Sequence, residues 1–341
     1  MRTFDRRSWL VATLLAAGIG SLAPSAVQAG GGSGRGLCAT AVGEHAAPPY
    51  VAVLSAFPAE LAPLVAATAI ETTVQVDARQ YYLGRLDGVS VILGLMGIGM
   101  VNASNSARSL LASFEVAGLV VSGVAGSRHR IGDVVLATRW GERDRARVFH
   151  PNRALLALAR GAATALPAPL EKCTPVPPAS ADPRIVCLPY DPAIIFGGRA
   201  TSGDDFGGIA FPCLPGGGDV LGCELPAPMV ASAETPPDVE DDVEDMETAA
   251  VARAAARRGV PFLGVRAVSD GAGDPLGDRG FPVQFFDYYR LASRNAGAVT
   301  RAVVAELGRL ARDGSARHTC RLLAKRRWRR AAERIRARSD G

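Results

Sequence analysis

The segment from residue 245 to residue 273 constrains the fold of this chain more than any other part of its sequence. An alanine-rich run over residues 248–258 ends at Gly259, with Pro261 two positions later, and this punctuation predicts a helix and its C-terminal end. The short apolar run over residues 262–270 then predicts a buried strand. A helix that leads directly into a buried strand is typical of α/β folds, in which helices pack on the faces of a sheet.

Acidic residues stand at the ends of these predicted elements. Asp270 ends the strand, and Glu247 immediately precedes the helix. Glu60 follows an apolar run over residues 50–56 that also predicts a strand. Ligands bind at the carboxyl ends of strands in open α/β sheets, so the three acids are candidate site residues. Each also has a structural interpretation: a helix-terminal acid for Glu247, a turn residue for Asp270 and an exposed helix residue for Glu60.

Strands and helices alternate along the rest of the chain, and this pattern predicts an α/β fold. The last predicted helix, near residues 286–311, carries Val299, Val303, Leu307 and Leu310 at helical spacing. The remaining predicted elements are strands over residues 79–86, 89–95, 117–123, 133–138 and 193–202, and helices over residues 58–67, 100–114 and 151–165.

Five short segments carry motifs in a fixed order along the chain. They are residues 55–60 (SAFPAE), 97–99 (GIG), 122–126 (SGVAG) with 131–135 (IGDVV), 202–206 (SGDDF), and 246–247 (ME) with 265–270 (VRAVSD). Together they resemble the purine nucleoside phosphorylase superfamily, and within it the methylthioadenosine/S-adenosylhomocysteine nucleosidases. The resemblance covers residues 50–311, apart from an insertion over residues 166–230 that is rich in Pro, Gly and Cys. It implies a single nucleoside-phosphorylase-like domain over residues 49–320, with a central mixed β-sheet flanked by helices.

The resemblance implies a role for each acid in the cleavage of an N-glycosidic bond. Asp270 would act as the acid near purine N7, Glu60 would position and deprotonate the attacking water, and Glu247 would accept the ribose hydroxyls. The resemblance also implies a homodimer in which the neighbouring subunit closes the 5′ pocket. Further substrate contacts are implied for Met246, Phe206, Gly126, Ser269, Arg266, Ile98 and Phe57.

Departures from the family pattern bear on the reaction. Val124 stands where the family usually carries a hydroxyl residue, and residues 119–122 hold no cation where phosphorolytic members place an arginine. Because an apolar wall cannot hold a phosphate dianion, water is the predicted nucleophile. Phe57 takes the place of a methionine at the first loop, which leaves the 5′ substituent open.

The predicted activity is hydrolysis of the N-glycosidic bond of purine nucleosides or 5′-thio-nucleosides, with release of the free base. Phosphorolysis and a non-catalytic nucleoside-binding or storage function stay open as alternatives. Dinucleotide binding has little support, because residues 94–99 follow the order G-x-x-G-x-G rather than G-x-G-x-x-G. No Cys-x-x-Cys or His pair has the spacing of metal ligands, so the sequence predicts neither a metal site nor a cofactor.

The first residues have the features of an export signal. Arg6 and Arg7 precede an apolar run over residues 11–22, and small residues follow it. The pattern predicts a cleaved signal peptide over residues 1–29, by the twin-arginine or the Sec route, and then a flexible linker over residues 30–48. The expected location is the periplasm or the extracellular medium.

Export would place the six cysteines in an oxidising compartment, where an even number favours disulfides. Two of the simplest pairs bracket loops of the insertion, and the third would connect the two ends of the domain. These predicted pairs are Cys173 with Cys187, Cys213 with Cys223, and Cys38 with Cys320.

Charge is unevenly distributed along the chain. The formal net charge is +5, but residues 1–29 carry +2 and residues 321–341 carry +7, which leaves −4 for residues 30–320. An acidic body argues against a nucleic-acid-binding domain. The basic tail over residues 321–341 fits either a solvated segment or a contact with an anionic surface. The acidic run over residues 238–245 predicts a solvated loop.

Overall fold

The computed structural model describes residues 50–143, 145–176, 182–203, 241–278 and 280–312. In these residues, no helix combines the length and the apolar character needed to cross a membrane. The helices are α1 (Pro58–Ala67), α2 (Met100–Ser113), α3 (Arg153–Thr164), α4 (Thr248–Arg258) and α5 (Val283–Arg312). The strands are β1 (Tyr50–Ser55), β2 (Thr68–Val76), β3 (Arg79–Leu86), β4 (Val89–Leu95), β5 (Val116–Arg130), β6 (Val134–Leu136), β7 (Arg139–Glu142), β8 (Arg145–Phe149), β9 (Cys173–Val176), β10 (Arg184–Cys187), β11 (Ile194–Phe196), β12 (Arg199–Ser202), β13 (Val243–Asp245) and β14 (Phe262–Ala272).

One mixed sheet organises the domain. Its main path runs in the order β2-β3-β4-β1-β5-β13-β12-β7-β8, while β9 and β10 form a separate hairpin. Strand β14 pairs in parallel with β5 and in antiparallel with β6, and β6 pairs in turn with β11. Strand β1 lies parallel to both of its neighbours, β4 and β5. The predicted α/β class, with a central mixed sheet flanked by helices, is confirmed.

The centre of the sheet is apolar because helices cover it. Leu54 of β1, Val120 of β5 and Leu263 of β14 are each at most 1 % exposed. Helices α1 and α3 pack on α5, and α2 packs on α4. Since β1, β5 and β14 are adjacent and parallel, their carboxyl ends meet at one edge of the sheet, where ligands bind in folds of this kind.

The strand predicted over residues 193–202 is in fact two strands, β11 and β12, that pair with different neighbours. Gly197 and Gly198 lie between them with φ of +127° and +83°. Because residues with a side chain rarely adopt such values, the two glycines allow the chain to leave one strand pairing and enter the next.

Cys173 and Cys187 form a disulfide across the β9–β10 hairpin, where the antiparallel register places them opposite each other. The predicted pairing of these two residues is confirmed. The predicted signal peptide, linker and basic tail lie outside the described residues, as do the other cysteines, Cys38, Cys213, Cys223 and Cys320.

Candidate active site

A buried arginine on β14 gathers three carboxylates around its guanidinium. Nε of Arg266 lies 2.8 Å from Oδ2 of Asp245, and its Nη2 lies 3.1 Å from Oε2 of Glu247. Its Nη1 lies 3.5 Å from Oε1 of Glu60. All four side chains are buried. This group, the Arg266 cluster, therefore has more acids than bases in a desolvated place, which favours retention of protons on the acids.

The register of the sheet brings the Arg266 cluster together. Arg266 stands opposite Gly123 in the parallel pairing of β14 with β5. Glu60 lies in the first turn of α1, directly after β1, which is the other parallel neighbour of β5. A Cβ atom at position 123 would collide with the Glu60 carboxylate and the Arg266 guanidinium, so this close approach requires glycine. Asp245 and Glu247 enter from the end of β13 and the start of α4.

Backbone N–H groups hold the Glu60 carboxylate in place. The amide of Ala56 donates to Oε2 at 2.6 Å, and the amide of Val124 donates to Oε1 at 2.7 Å. Burial raises the pKa of Glu60, while Arg266 and the backbone donors oppose that rise. The carboxylate thus has a fixed orientation and several partners that favour its ionised form.

Glu247 is held by the glycine motif that precedes α2. Its Oε1 accepts the backbone N–H of Gly99 at 2.9 Å, and Gly99 has a φ of +94°. Burial raises the pKa of Glu247 to about 8. The neighbouring acids add to this rise, whereas Arg266 and the Gly99 N–H oppose it. The motif over residues 97–99 therefore provides a backbone donor to an acid of the site.

Asp270 lies near the end of β14 in a different environment. It is 8 % exposed, and its Oδ1 accepts a hydrogen bond from Oγ of Ser269 at 2.7 Å. Ser269 also donates to the carbonyl oxygen of Ala125 at 3.3 Å. Burial raises the pKa of Asp270, and the Ser269 hydroxyl opposes the rise. Among the residues that the structure describes, no cation forms an ion pair with Asp270, so its environment favours the protonated acid.

An aromatic group lies beside Glu60. Phe57 immediately precedes α1, and its carbonyl oxygen accepts the backbone N–H of Glu60 at 3.1 Å. The ring centroid of Phe57 lies 6.1 Å from that of Phe285 and 6.3 Å from that of Tyr289. The neighbouring Phe286 is 42 % exposed. The start of α5 and Phe57 thus form an apolar wall, and Phe57 stands three residues before Glu60 in the chain.

The other predicted contact residues occupy varied positions. Ile98 is buried directly before the Gly99 donor, and the half-buried Met246 packs against the core. Gly126 of β5 pairs with Asp270 of β14, so backbone rather than a side chain lies beside this acid. Phe206 lies outside the part of the chain that the structure describes.

The sequence interpretation missed Asp245. It assigned this residue to a solvated acidic loop, which is wrong for position 245 because Asp245 ends β13, is 7 % exposed and contacts Arg266. One sequence feature could have identified Asp245 as a buried site residue: it stands directly before the Met246-Glu247 motif at a helix start. A carboxylate at such a position can accept hydrogen bonds from free backbone N–H groups.

The wall formed by residues 119–124 holds no cation of its own, but a cation approaches it from another strand. Arg266 reaches this wall from the neighbouring strand, and its Nη1 donates to the carbonyl oxygen of Val124 at 3.1 Å. Its guanidinium nevertheless faces three carboxylates, which would repel a phosphate dianion. The argument against a phosphate site therefore rests on the acids of the Arg266 cluster rather than on the lack of a cation.

A cavity of about 340 Å³ lies between α2 and the β7–β8 hairpin. Its wall includes Ser202 and the ion pair of Glu142 with Arg253, whose atoms are 2.6 Å apart. None of the predicted catalytic carboxylates lines it, but Ser202 of its wall donates to Asp245, so the cavity borders the Arg266 cluster. Within the described residues, no group of three or more His, Cys, Asp or Glu side chains is arranged to hold a metal ion.

Comparison with known proteins gives consistent matches. The family model described as the phosphorylase superfamily matches residues 50–305. An uncharacterized protein of Mycobacterium tuberculosis is 37 % identical over 185 residues, which are 50 % of this chain and 74 % of that protein. A 5′-methylthioadenosine/S-adenosylhomocysteine nucleosidase of Actinobacillus succinogenes is 26 % identical over 260 residues, which are 75 % of this chain and 99 % of that protein.

Solved structures with low sequence identity share the fold. A 5′-methylthioadenosine/S-adenosylhomocysteine nucleosidase from Neisseria meningitidis, in complex with methylthio-immucillin-A, matches with a TM-score of 0.53 and 22 % identity, over 76 % of this chain and 99 % of that one. The futalosine hydrolase of Helicobacter pylori matches with a TM-score of 0.53 and 18 % identity, over 76 % of this chain and 98 % of that one. At these identities the likeness concerns the architecture of the domain.

Proposed function

The chain belongs to the phosphorylase superfamily, and from that premise we propose that it is an N-glycosidase that uses water to release the base of purine nucleosides or 5′-thio-nucleosides. The observation that carries the proposal is the contrast between two buried acids. Glu60 has a guanidinium and two backbone donors that favour its ionised form, whereas Asp270 has a single hydroxyl. Burial raises the pKa of both acids, but only Glu60 has a cation and backbone donors that oppose the rise, so we assign the base to Glu60 and the acid to Asp270.

In the proposed reaction, water attacks C1′ of the ribose as the bond from C1′ to the purine nitrogen breaks and its electron pair leaves with the base. Asp270 gives its proton to the purine at N7, and Glu60 takes a proton from the attacking water. Glu247 accepts hydrogen bonds from the ribose hydroxyls and stabilises the positive charge that develops on the sugar. The protons balance, because Asp270 loses one while Glu60 gains one, and the products are the free base and the free pentose.

The apolar wall formed by Phe57, Phe285 and Tyr289 supports an apolar 5′ substituent. Phe57 has the position that the resemblance assigns to the 5′ side, and it packs against Phe285 and Tyr289. Transfer of a methylthio group from water to such a wall is favourable, since it removes apolar area from water. We therefore place methylthioadenosine before adenosine and inosine among the candidate substrates.

We expect the purified mature protein to release free base from methylthioadenosine in buffer without phosphate, at a rate that added phosphate does not increase. The reason is that the three acids of the Arg266 cluster repel a phosphate dianion but accept water. Chromatography of the base and the sugar product measures this, with adenosine and inosine assayed in parallel. Formation of ribose 1-phosphate, with turnover that requires phosphate, would establish phosphorolysis instead. Tight nucleoside binding without any turnover would support the binding or storage alternative.

Export and dimer formation are further parts of the proposal. The N-terminal arginine pair and apolar run support export, and the Cys173–Cys187 disulfide fits an oxidising compartment. We expect mass spectrometry of unreduced, denatured protein from the exported fraction to find its cysteines oxidised and its chain shortened by the signal peptide. Six free thiols would contradict export to an oxidising compartment.

Light scattering of the same sample should give the mass of a homodimer, and a monomeric mass would contradict dimer formation. A contact of the basic tail with anionic surfaces has support from charge alone.

A further inference from the structure

Asp245 is fully engaged by protein groups. Its Oδ1 accepts from Oγ of Ser202 and from the backbone N–H groups of Glu247 and Thr248, each of the latter at 3.2 Å. Its Oδ2 accepts from Oγ1 of Thr248 at 2.5 Å and lies 2.8 Å from Nε of Arg266. Because every one of these partners belongs to the protein, the carboxylate is committed to holding the start of α4 and the guanidinium.

The guanidinium of Arg266 is a planar fork, and each edge of it meets a different group. Nε faces Asp245, Nη2 faces Glu247 at 3.1 Å, and Nη1 faces Glu60 at 3.5 Å. Oγ1 of Thr248 accepts from both Nε and Nη2, at 3.1 Å and 3.0 Å. Since the fork is rigid, a partner that fixes the Nε edge also fixes the directions of the two terminal nitrogens.

We propose that Asp245 is a positioning residue that acts through Arg266. It fixes the Nε edge of the guanidinium and compensates the positive charge. The two terminal nitrogens then hold Glu60 and Glu247 in place without favouring loss of the proton that these acids retain. The inference rests on the proposed function, since it concerns the same two acids. Asp245 itself touches neither the water nor the nucleoside in this scheme.

Charge supports this assignment. The charged groups that face Glu247 are Arg266 from β14, Asp245 from β13 and Glu60 from α1, and α2 adds the backbone N–H of Gly99. Three acids share one guanidinium, and both Glu60 and Glu247 have a raised pKa, first because of burial. Removal of the charge on Asp245 would leave the guanidinium to Glu60 and Glu247. Their ionised forms would then be favoured, and their pKa values would fall.

The test is the pH dependence of kcat/KM in Asp245→Asn. Activity requires the ionised acids, so it rises with pH as the cluster loses its last proton. We expect this acidic limb to move to lower pH in Asp245→Asn by about one unit, the usual effect of a charge at this range. Asp245→Glu keeps the charge but displaces it by one methylene, so its limb should stay at the wild-type pH while kcat falls by about 10- to 100-fold.

A matched control is Glu142→Gln. It removes another buried carboxylate that pairs with an arginine, Arg253, outside the Arg266 cluster, so its acidic limb should coincide with that of the wild type. A uniform loss of activity in Asp245→Asn, with the limb unmoved, would overturn the proposal, and so would a limb that moves to higher pH. If Asp245→Asn does not fold, Asp245→Glu decides, because a shifted limb or an unchanged kcat in that variant contradicts the proposal.

A second measurement separates this proposal from the proposed function. Infrared difference titration follows the carbonyl stretch of protonated carboxyl groups and needs no turnover. Buried acids that lose their protons at lower pH in Asp245→Asn than in the wild type support the role of Asp245 even if no nucleoside is cleaved. Identical titrations in an active enzyme overturn it while the N-glycosidase assignment stands.

Discussion

Replacement of Asp270 by Asn is expected to lower kcat by about 100-fold or more, the usual scale for the loss of a general acid. Asn has the same size and can donate a hydrogen bond, but it has no proton to transfer to the purine. The fold should survive, because Asp270 lies near the end of β14, where its carboxyl group accepts from Ser269. Steady-state kinetics with methylthioadenosine, together with thermal unfolding of both proteins, measures the two effects.

The pH profile adds a second readout for Asp270. Burial raises its pKa, so the acid keeps its proton below the raised value and loses it as the pH increases through that value. Wild-type activity should therefore fall on the alkaline side, and this limb should be absent from Asp270→Asn. If the residual rate of the variant shows the same alkaline limb, another group must supply the proton.

Asp87→Asn is a suitable control for this substitution. Asp87 is also an aspartate at a turn, with a φ of +51°, and it pairs at the surface with Arg301, which is not part of the Arg266 cluster. Asn adopts such turn conformations well, so turnover should stay near that of the wild type. Near wild-type rates for Asp270→Asn would show that Asp270 is an ordinary turn residue and would refute its catalytic role.

Local sequence patterns predicted the central elements of the fold because those elements carry their signals within a few residues. The apolar run of β1, the glycine that ends α4 and the apolar run of β14 are examples. Strand β2 was missed, since it lies at the edge of the sheet and most of its residues are exposed. Its sequence does alternate over residues 70–76, but only Val74 and Val76 are half-buried, so the strand signal is confined to its last three residues.

The acids of the site were found by motif, but their relation to one another was not. Glu60, Glu247 and Asp270 each stand in a segment that resembles a known family. The role of Asp245, in contrast, is apparent only from its contact with Arg266. That contact depends on the pairing of β13 with β5 and of β5 with β14, which brings together residues far apart in the chain. A linear pattern does not contain this register, so the charge balance of the cluster emerges from the folded structure alone.

Replacement of Arg266 by Met is expected to destabilise the folded protein by about 3–5 kcal/mol near neutral pH, the scale for a buried ion pair that loses one partner. Methionine fills similar volume, but it leaves Glu60, Asp245 and Glu247 buried without a cation. Urea unfolding of the variant and the wild type at several pH values measures the loss. The matched control is Arg301→Met, which removes a surface partner of Asp87 and should cost less than about 1 kcal/mol.

The loss in Arg266→Met should depend on pH in a defined direction. Without the guanidinium, which opposes the rise, burial raises the pKa of Glu60 and Glu247 further above the unfolded values of about 4. A group with a raised folded-state pKa stabilises the fold fully below its unfolded pKa, and that stability is lost as the pH rises through the folded value. The difference in unfolding free energy between the variant and the wild type should therefore be smallest near pH 4 and should increase toward pH 8. A difference that decreases over this range would contradict the charge argument.

Addition of Asp245→Asn to Arg266→Met should recover part of the lost stability, because it removes one of the uncompensated charges. An additive further loss would show that the two residues act independently.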